Sequence, residues 1–510
     1  MASLRKRRSV PWDMFFILLL AAVLRLVWLD LKAPHFDEGI NGWFTDQMRA
    51  QGTFKYNADN YPGPWHFSVL FLSQNLLGRN VWALRLPVVT ASLLMIPALF
   101  LFARWLGRPA VRWAALAFAV SPACVFYGRY SIHETWFALA CALFTWGVFA
   151  LWLERDRAGL WAAVAGLTGM LLNKETYIIH TVSLLAAALV AAGWNHLSPL
   201  RPAPQRATAR GWSTREAWMA AGISLFLLVF FYSGNFLHWS GWLGPFQAMV
   251  EWTKTGTAGN GHEKGAYDLL PFVNYYWVAL LARYEWPALA GLLWSVRSAW
   301  PAPAVPRLLA IYAAGILAAY SLVPYKTPWC IASIMWPWFL FFGLAITAAG
   351  KIPARVAGIL LLAVSLGMTL QLNFRDFEDD KEPYVYVQTY RSLGRLTSPL
   401  LELAAADPRY YGTSVAIYLD SYYPLPWVLG DFTSVGYHGP KLPDPLPEAS
   451  VHVMETEKAA DLRAKLGDKF EERHFNFRSG MNGCSAFFER ELLSRWRQLP
   501  PSGAERRGEP

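Results

Sequence analysis

Four short polar motifs interrupt an otherwise apolar sequence, and their residues are of the types that take part in acid–base chemistry and anion binding. They are His35-Phe36-Asp37-Glu38, Arg129-Tyr130-Ser131-Ile132-His133-Glu134, Asn173-Lys174-Glu175 and Tyr325-Lys326-Thr327. A carboxylate can act as the general base for an acceptor hydroxyl. Cationic side chains can bind a phosphate and stabilise its charge as it leaves. Together these residue types suit sugar transfer from a lipid-linked phosphate donor.

Each motif alone also has a structural interpretation. Asp37 can cap a helix, with Glu38 favourably placed in the first turn. Arg129 and His133 are four residues apart and would share a helix face, where ions are usually only solvated. Lys326 is harder to explain in this way, because it lies in a loop stiffened by two prolines. A site is indicated only if the topology gathers all four motifs on one side of a membrane.

The composition predicts a polytopic membrane protein. Of the 510 residues, 55% are hydrophobic and only 16% are charged, whereas about 25% is usual in soluble proteins. The 26 Trp residues fit a chain with two membrane interfaces, where amphipathic rings are enriched. Lys and Arg exceed Asp and Glu by ten (46 − 36), but no nucleic-acid-binding motif accompanies them. We therefore expect a lipid bilayer, and no nucleic acid, as a partner.

Eleven apolar runs are close to the length of a membrane-spanning helix, which is about 17–25 residues. They are 13–31, 86–104, 113–130, 135–153, 159–173, 177–194, 217–237, 275–296, 306–323, 329–349 and 355–373. Short helices are expected near 38–51 and 63–79, in the first external loop. Basic residues lie in alternate connections, which predicts a cytoplasmic N-terminus and an extracytoplasmic C-terminal region in the inner membrane. The first run lacks a small-residue cleavage site and is predicted to be retained.

The chain is expected to have four parts: a basic cytoplasmic segment 1–12, a transmembrane domain 13–373, an extracytoplasmic α/β domain 374–496 and a polar tail 497–510. Strands are predicted at 384–389, 413–419 and 451–455, with helices around 390–406 and 457–467. The four cysteines make no CxxC motif, so a disulfide framework or a cysteine metal site is not expected.

Three charged residues lie inside predicted spans and need an explanation. An unpaired charge near the bilayer centre costs about 2.5–3.5 kcal/mol on insertion scales, so Arg25 requires a partner or a cavity. Arg283 and Glu285 are two residues apart and do not share a helix face. Either they line a cavity, or the eighth span begins after them.

The order of the motifs resembles that of the polyprenyl-phosphate-dependent, C-type (GT-C) glycosyltransferase superfamily. The superfamily-level resemblance rests on Asp37-Glu38, Tyr61-Pro62-Gly63-Pro64 and Arg85-Leu86-Pro87. The chain also resembles the protein mannosyltransferase and aminoarabinose transferase branches of this superfamily, through Arg129-Tyr130-Ser131, His133-Glu134 and Lys174-Glu175. In its second half the chain resembles a mannosyltransferase-like family that is associated with flippase activity and found in archaeal N-glycosylation gene neighbourhoods. The residues that carry this resemblance are Lys326-Thr327-Pro328-Trp329, Pro383-Tyr384-Val385-Tyr386-Val387-Gln388-Thr389 and Pro424-Leu425-Pro426-Trp427.

This resemblance implies an inverting hexosyl- or pentosyltransferase whose donor is a polyprenyl-phosphate-linked sugar. It makes Asp37 the base or the acceptor-orienting group and Glu38 its neighbour. The residues implied to bind or orient the donor phosphate are Arg129, His133, Glu134, Lys174, Glu175 and Lys326. Some branches use a divalent metal, but we identify no second DxD-like pair to complete a site, so metal dependence stays open. The acceptor is an unknown glycan, lipid or protein.

Four further residues are candidates for the cavity or a lid over it. His35 and Tyr61 lie in the first external loop, and His262 and Glu263 lie in the Gly-rich loop 253–268, which could order around substrate. An alternative function uses the same cations without a base: a non-catalytic transporter of lipid-linked oligosaccharides, or an accessory to a flippase.

Overall fold

The computed structural model describes residues 12–58, 62–195, 211–258, 274–298 and 304–500. The basic N-terminal segment up to residue 11 and the tail beyond residue 500 lie outside this range. So do three of the cavity or lid candidates, Tyr61, His262 and Glu263. The predicted first span is described as a helix from Trp12 onwards.

Helices make up most of the described residues as far as Phe374. They are α1 (Trp12–Leu26), α2 (Phe36–Gln51), α3 (Pro64–Leu77), α4 (Val81–Leu101), α5 (Ala103–Leu106), α6 (Arg108–Ala119), α7 (Pro122–Phe126), α8 (Glu134–Glu154), α9 (Arg157–Asn173), α10 (Tyr177–Asn195), α11 (Thr214–Tyr232), α12 (Gly244–Ala258), α13 (Trp286–Ser298), α14 (Ala304–Leu322), α15 (Ile331–Ala349) and α16 (Ile352–Phe374). The two helices predicted in the first loop are present as α2 and α3.

Six helical segments in the described ranges are long and apolar enough to cross a membrane, or seven if α6 and the bent segment after it form one span. The chain is therefore a multi-pass membrane protein. The number of eleven spans stays a prediction, since several shorter apolar helices are not decided by length and composition alone. Small residues allow close packing: a Cβ on Gly147 of α8 would meet the backbone N of Ala163 of α9 at 2.2 Å.

The chain divides into two compact units. The first, here called the membrane unit, comprises 1–29, 51–377 and 382–384; the second, the sheet unit, comprises 30–50, 378–381 and 385–510. Nearly all of α2, including the acidic pair, thus groups with the C-terminal residues. The domain boundaries predicted at 374 and 496 stay predictions.

Arg25 of the membrane unit is fully buried and binds backbone carbonyls instead of a carboxylate. Its guanidinium donates to the Ser92 hydroxyl at 2.7 Å and to the carbonyls of Phe118, Ala119 and Cys124 at 3.1–3.4 Å. Two of these carbonyls end α6, where the chain bends by 61° before α7. The partner that the sequence required is therefore the C-terminal end of a broken helix.

Glu285 binds the other side of the same break. Its carboxylate accepts hydrogen bonds from the Ser121 hydroxyl at 2.7 Å and from the backbone N–H of Ala123 in α7 at 2.9 Å. Helix α13 begins at Trp286, so Glu285 precedes it. Arg283, which also precedes α13, forms an ion pair with Glu382 at 3.2 Å. A π-helix, Tyr275–Ala282, directly precedes the two charges, so Arg283 and Glu285 lie at the junction of two helical segments, and both explanations offered for them stay predictions.

The sheet unit contains a five-stranded mixed sheet in the order β2-β1-β3-β5-β4. Its strands are β1 (Val415–Tyr418), β2 (Val435–Tyr437), β3 (Val451–Glu455), β4 (Phe470–Asn476) and β5 (Gly483–Glu489), and its helices beyond α2 are α17 (Gly394–Ala406), α18 (Leu425–Val428), α19 (Ala460–Leu466) and α20 (Arg490–Arg497). Strand β1 pairs in parallel with β2 and β3, and β5 pairs antiparallel with β3 and β4. The predicted mixed α/β domain is confirmed.

The strand predicted at 384–389 is wrong. Tyr384 belongs to the membrane unit, where its hydroxyl donates to Glu285 at 3.3 Å. Val387 has a φ of 55°, outside the β region, and Thr389 forms only an isolated bridge with Arg478. The β-branched and aromatic residues that suggested a strand instead form a segment that passes from one unit to the other.

Candidate active site

The first-loop motif folds into a tight helix start in the sheet unit. The side chain of Glu38 reaches back to accept a hydrogen bond from the backbone N–H of His35 at 3.0 Å. The Nδ1 atom of His35 accepts from the backbone N–H of Asp37 at 3.0 Å, and its Nε2 lies 2.7 Å from the carbonyl oxygen of Tyr386. These contacts fix the tautomer with the proton on Nε2. Burial lowers the pKa of His35, so the ring is neutral at pH 7.

Asp37 keeps its carboxylate partly accessible, with 31% of the side chain exposed. Its charge acts on Arg478, whose pKa is lowered by burial and raised by Asp37. The Arg478 guanidinium lies 4.2 Å from the centre of the Phe36 ring and donates to the Ser421 hydroxyl at 2.6 Å. The motif therefore gathers a carboxylate, a neutral imidazole and a guanidinium, and Arg478 was not found from the sequence.

Two glycines hold α2 against the segment that precedes and forms α18. A Cβ on Gly39 would lie 2.3 Å from Cα of Pro424, and a Cβ on Gly42 would lie 2.4 Å from the Trp427 ring. The glycines are three residues apart and thus share a helix face. The start of α2 is consequently fixed by direct backbone packing, which positions Asp37 within the sheet unit.

A buried ion pair forms the polar centre of the membrane unit. Lys174, between α9 and α10, pairs with Glu134 at the start of α8, and its ammonium lies 3.6 Å from the Cys330 sulfur. The Cys330 thiol is 3.5 Å from Glu134 and 3.2 Å from the Thr327 hydroxyl. The second carboxylate oxygen of Glu134 has no hydrogen-bond partner in the described part of the chain. Lys174 and Glu134, both predicted site residues, thus meet in the structure. Cys330 is a further member of the cluster that the sequence motifs did not predict.

Two neighbours of this pair have altered acidity. Burial raises the pKa of Glu175 to about 7, against an opposing effect of Lys174. Burial, together with the charges of Lys174 and His66, lowers the pKa of His133 well below its usual value. The rings of His66 and His133 are 6.2 Å apart. A carboxyl that titrates near neutrality and a neutral imidazole therefore flank the ion pair.

Arg129 and Lys326, the other two predicted phosphate ligands, bind helix ends. Arg129 donates to the carbonyls of Leu24, Val27 and Trp28 at 2.6–2.9 Å, at and beyond the end of α1. The Lys326 ammonium donates to the carbonyls of Tyr320 and Ser321 at 2.8 and 3.0 Å, and also to that of Val323, at the end of α14. Both cations are buried and act on the negative ends of helix dipoles. Their predicted role towards phosphate stays a prediction.

An apolar cavity of about 510 Å³ runs along α14 in the membrane unit. Its lining includes Val190, Trp277, Val296, Ile311, Leu317 and Trp338, with Arg307 and Ser295 as polar members. The Trp277 indole N–H donates to the Ser321 hydroxyl at 2.8 Å. Because the Ser321 carbonyl is a partner of Lys326, one end of the cavity adjoins the helix end that Lys326 caps.

Within the described ranges, no group of three His, Cys, Asp or Glu side chains is arranged to hold a metal ion. Both ring nitrogens of His35 are engaged by the backbone. Asp37 and Glu38 therefore have no free imidazole of this motif to complete a coordination sphere. Metal dependence accordingly enters no step derived below.

Comparisons with known proteins point to one fold. The family model described as dolichyl-phosphate-mannose-protein mannosyltransferase matches residues 62–204. Two crystal structures of ArnT from Cupriavidus metallidurans, one bound to undecaprenyl phosphate and one in the apo state, superpose with a TM-score of 0.59 at 13% and 15% identity. Each match covers 96% of this chain and 99% of ArnT. Among curated protein sequences, none matches the chain significantly.

Arabinofuranosyltransferase AftD from Mycobacteria aligns over 96% of this chain and 42% of its own, with 15% identity and a TM-score of 0.43, too low to indicate a shared fold. The resemblance to the GT-C superfamily is confirmed by the family-model match and the ArnT-like fold. The archaeal gene neighbourhood stays a prediction.

Proposed function

We propose that this chain is an integral-membrane glycosyltransferase that moves a sugar from a polyprenyl-phosphate donor to an acceptor hydroxyl at the outer face of the cytoplasmic membrane. The observation that carries this proposal is the helix start at Asp37. There a partly exposed carboxylate lies beside a neutral His35 and near Arg478, in a chain with the fold of ArnT. Under this proposal the N-terminus is cytoplasmic and the sheet unit is extracytoplasmic.

Asp37 would act as the general base. The acceptor oxygen attacks the anomeric carbon, its proton passes to the Asp37 carboxylate, and the bond from the anomeric carbon to the phosphate oxygen breaks. Polyprenyl phosphate then leaves with the electron pair, and the configuration of the sugar inverts. Glu38 would position the loop, since its carboxylate is bound to the His35 N–H. Arg478 would place a positive charge near the Asp37 carboxylate, since the two groups interact electrostatically.

Lys174 is the cation best suited to the donor phosphate. Its ammonium is already paired with a carboxylate, so a phosphate could take the place of Glu134 without leaving the ammonium unpaired. Arg129 and Lys326 would instead keep helix ends in place in the membrane unit, since the terminal guanidinium nitrogens of Arg129 and the Lys326 ammonium are bound to carbonyls. The neutral His133 and the Glu175 carboxyl, whose pKa is about 7, would determine the net charge close to Lys174.

The cavity along α14 is suited to the isoprenoid chain of the donor. It is apolar over nearly its whole lining and reaches Trp277, which is linked through Ser321 to the helix end that Lys326 caps. Its members on α14 extend from Arg307 to Ala318, about 16 Å along a helix that rises 1.5 Å per residue. The ArnT structure bound to undecaprenyl phosphate supports a donor of this chemical class.

The decisive experiment replaces the base in reconstituted protein. Asp37→Asn should lower the rate of sugar transfer from a polyprenyl-phosphate sugar by about 10²–10⁴-fold, the usual contribution of a general base. The matched control is Asp46→Asn, because Asp46 lies nine residues further along the same helix, in an ion pair with the partly exposed Arg49 at 3.8 Å. Radiolabelled sugar transfer would be measured for both variants at equal protein amounts.

Full activity of Asp37→Asn would refute the assignment of the base. Translocation of lipid-linked oligosaccharide in liposomes that persists in Asp37→Asn, without sugar transfer in the unsubstituted protein, would favour the transporter function instead.

A further inference from the structure

A row of aromatic rings begins beside Asp37 and continues across the sheet unit. It consists of Phe36, Trp43, Tyr423, Tyr422 and Tyr437, and is called the aromatic row below. Neighbouring ring centres are 5.8 Å apart for Phe36 and Tyr423, 6.5 Å for Trp43 and Tyr423, 5.6 Å for Tyr422 and Tyr423, and 4.5 Å for Tyr422 and Tyr437. All five side chains are half-buried.

Packing accounts for only part of this arrangement. Tyr422 and Tyr437 lie against the core of the sheet unit, yet each remains partly accessible to solvent. In the described part of the chain, no protein group is hydrogen-bonded to the hydroxyls of Tyr422, Tyr423 or Tyr437, and none of these hydroxyls is buried, so they are open to a ligand. The aromatic row therefore presents ring surface bordered by unused donors and acceptors.

Its position links it to the candidate base. Phe36 directly precedes Asp37 and lies 4.2 Å beneath Arg478. Gly39 and Gly42 fix α2 on Pro424 and Trp427, so the rings of α2 and those of 422–423 keep a constant relation. Arg478 lies over the Phe36 ring and also interacts with the Asp37 carboxylate, so the first ring of the row and the candidate base share one neighbour.

We propose that the aromatic row binds a glycan, and that the acceptor of the proposed transfer is therefore a sugar hydroxyl. A pyranose has apolar C–H faces that stack on aromatic rings and a rim of hydroxyls that exchange hydrogen bonds with tyrosines, which is the pattern of the aromatic row. The inference depends on the proposed function for the role of the bound glycan, but not for its binding.

Two other acceptor classes fit less well. A peptide would be expected to extend the sheet at an edge. The edge strand that carries Tyr437, β2, has only three residues and offers few ladder hydrogen bonds, and the seven-residue edge strand β4 lies at the opposite edge of the sheet. A lipid chain would require an aliphatic surface, whereas the aromatic row is made of rings with polar edges. Sugar recognition uses both properties that the aromatic row has.

The test is saturation-transfer NMR on the full-length protein in lipid nanodiscs free of sugar-based detergent. The probes are mannotriose, galactotriose and chitotriose, each alone and without donor, and a Ser/Thr-containing hexapeptide. At least one trisaccharide should receive saturation from the protein. Tyr422→Ala and Tyr437→Ala should weaken its binding roughly tenfold, as expected for the loss of one aromatic contact.

Matched variants separate binding from folding. Tyr437→Phe keeps the ring and should stay within about threefold, the effect of one hydrogen bond. Tyr410→Ala removes a partly buried tyrosine from the same core, away from the aromatic row, and should bind as the unsubstituted protein does. Equal binding in Tyr437→Ala and the unsubstituted protein would overturn the proposal, as would binding of the peptide alone or of no trisaccharide.

Failure of the proposed function would look different. Asp37→Asn should lose transfer while its trisaccharide binding is unchanged. If Asp37→Asn keeps full transfer and Tyr437→Ala still loses trisaccharide binding, the glycan site stands and the assignment of the base falls.

Discussion

Charged side chains serve different purposes in the two units. In the membrane unit, Arg25, Arg129 and Lys326 are buried, and each donates to several carbonyls at or near helix ends. In the sheet unit, Asp37 begins a helix but leaves 31% of its side chain exposed. A buried charge within a membrane protein is often taken as a functional marker. Here the engagement of its hydrogen-bonding groups is the better guide, because a fully engaged cation has little capacity left for a ligand.

The strongest way to break this comparison is to remove Arg25. Arg25→Met removes the donor to the Ser92 hydroxyl and to the Ala119 carbonyl, whereas the carbonyls of Phe118 and Cys124 keep backbone N–H donors. Unsatisfied buried groups cost about 1–3 kcal/mol each, so we expect a loss of roughly 2–6 kcal/mol in unfolding free energy. Thermal unfolding followed by intrinsic fluorescence would measure it.

Arg112→Met is the control for that measurement. Arg112 forms an exposed ion pair with Asp13, and such pairs contribute about 0–1 kcal/mol. An Arg25→Met variant that melts together with Arg112→Met would show that Arg25 is not needed by the fold.

Neutralising Glu175 tests whether a charged carboxylate at this buried position lowers the unfolding free energy. The pKa of Glu175 in the folded protein is about 7, above its ordinary 4.5. Its contribution to stability is therefore complete below pH 4.5 and is lost as the pH rises through 7. Glu175→Gln stays neutral, so it should exceed the unsubstituted protein at pH 8 by up to about 3 kcal/mol.

The measurement is the melting temperature of both proteins between pH 5 and pH 8. The curves of Glu175→Gln and the unsubstituted protein should diverge as the pH rises. Glu251→Gln, which alters an exposed pair with Lys254, should run parallel to the unsubstituted protein throughout. Parallel curves for Glu175→Gln as well would mean that Glu175 is already charged at neutral pH.

A smaller effect is expected from the packing that positions Asp37. Gly39→Ala places a methyl group 2.3 Å from Cα of Pro424, so α2 must move. A displacement of about 1 Å can cost roughly 100-fold in rate, and we expect this loss in sugar transfer. Gly412→Ala, in the same unit with open space around it, should keep full activity. Normal transfer by Gly39→Ala would show that α2 can shift without harm.

Much of the fold could be predicted from the sequence because hydrophobicity and charge are local signals. The apolar runs predict most of the helices. The strands β1 and β3 are predicted from short segments with β-branched residues. Strand β2 has only three residues and was missed, as were β4, rich in charged residues, and β5. The segment 384–389 has the composition of a strand, but its contacts are divided between the two units, and composition does not reveal that.

The candidate site could be predicted only in part, for a related reason. Lys174 and Glu134 were both selected, and they meet. Arg478 could not be found, since it lies far along the chain from Asp37 and in no motif. Cys330 directly follows the Lys326-Thr327-Pro328-Trp329 motif, but its contacts with Glu134 and Lys174 join distant parts of the chain. Arg129 and Lys326 were selected by charge, but charge alone does not distinguish a ligand for phosphate from a ligand for carbonyl oxygens. That distinction depends on which helix ends lie nearby.

The broken helix at 120–121 has a consequence for the order in which the protein can be assembled. The backbone groups at the break are bound by residues from distant parts of the membrane unit. Arg25 donates to a carbonyl at the end of α6, and Glu285 accepts from an N–H at the start of α7. During synthesis Arg25 emerges before α6, whereas Glu285 emerges more than 150 residues after α7. The ribosome thus delivers one half of the break with its partner already present and the other without. Until Glu285 arrives, the start of α7 must be held by water or by the insertion machinery.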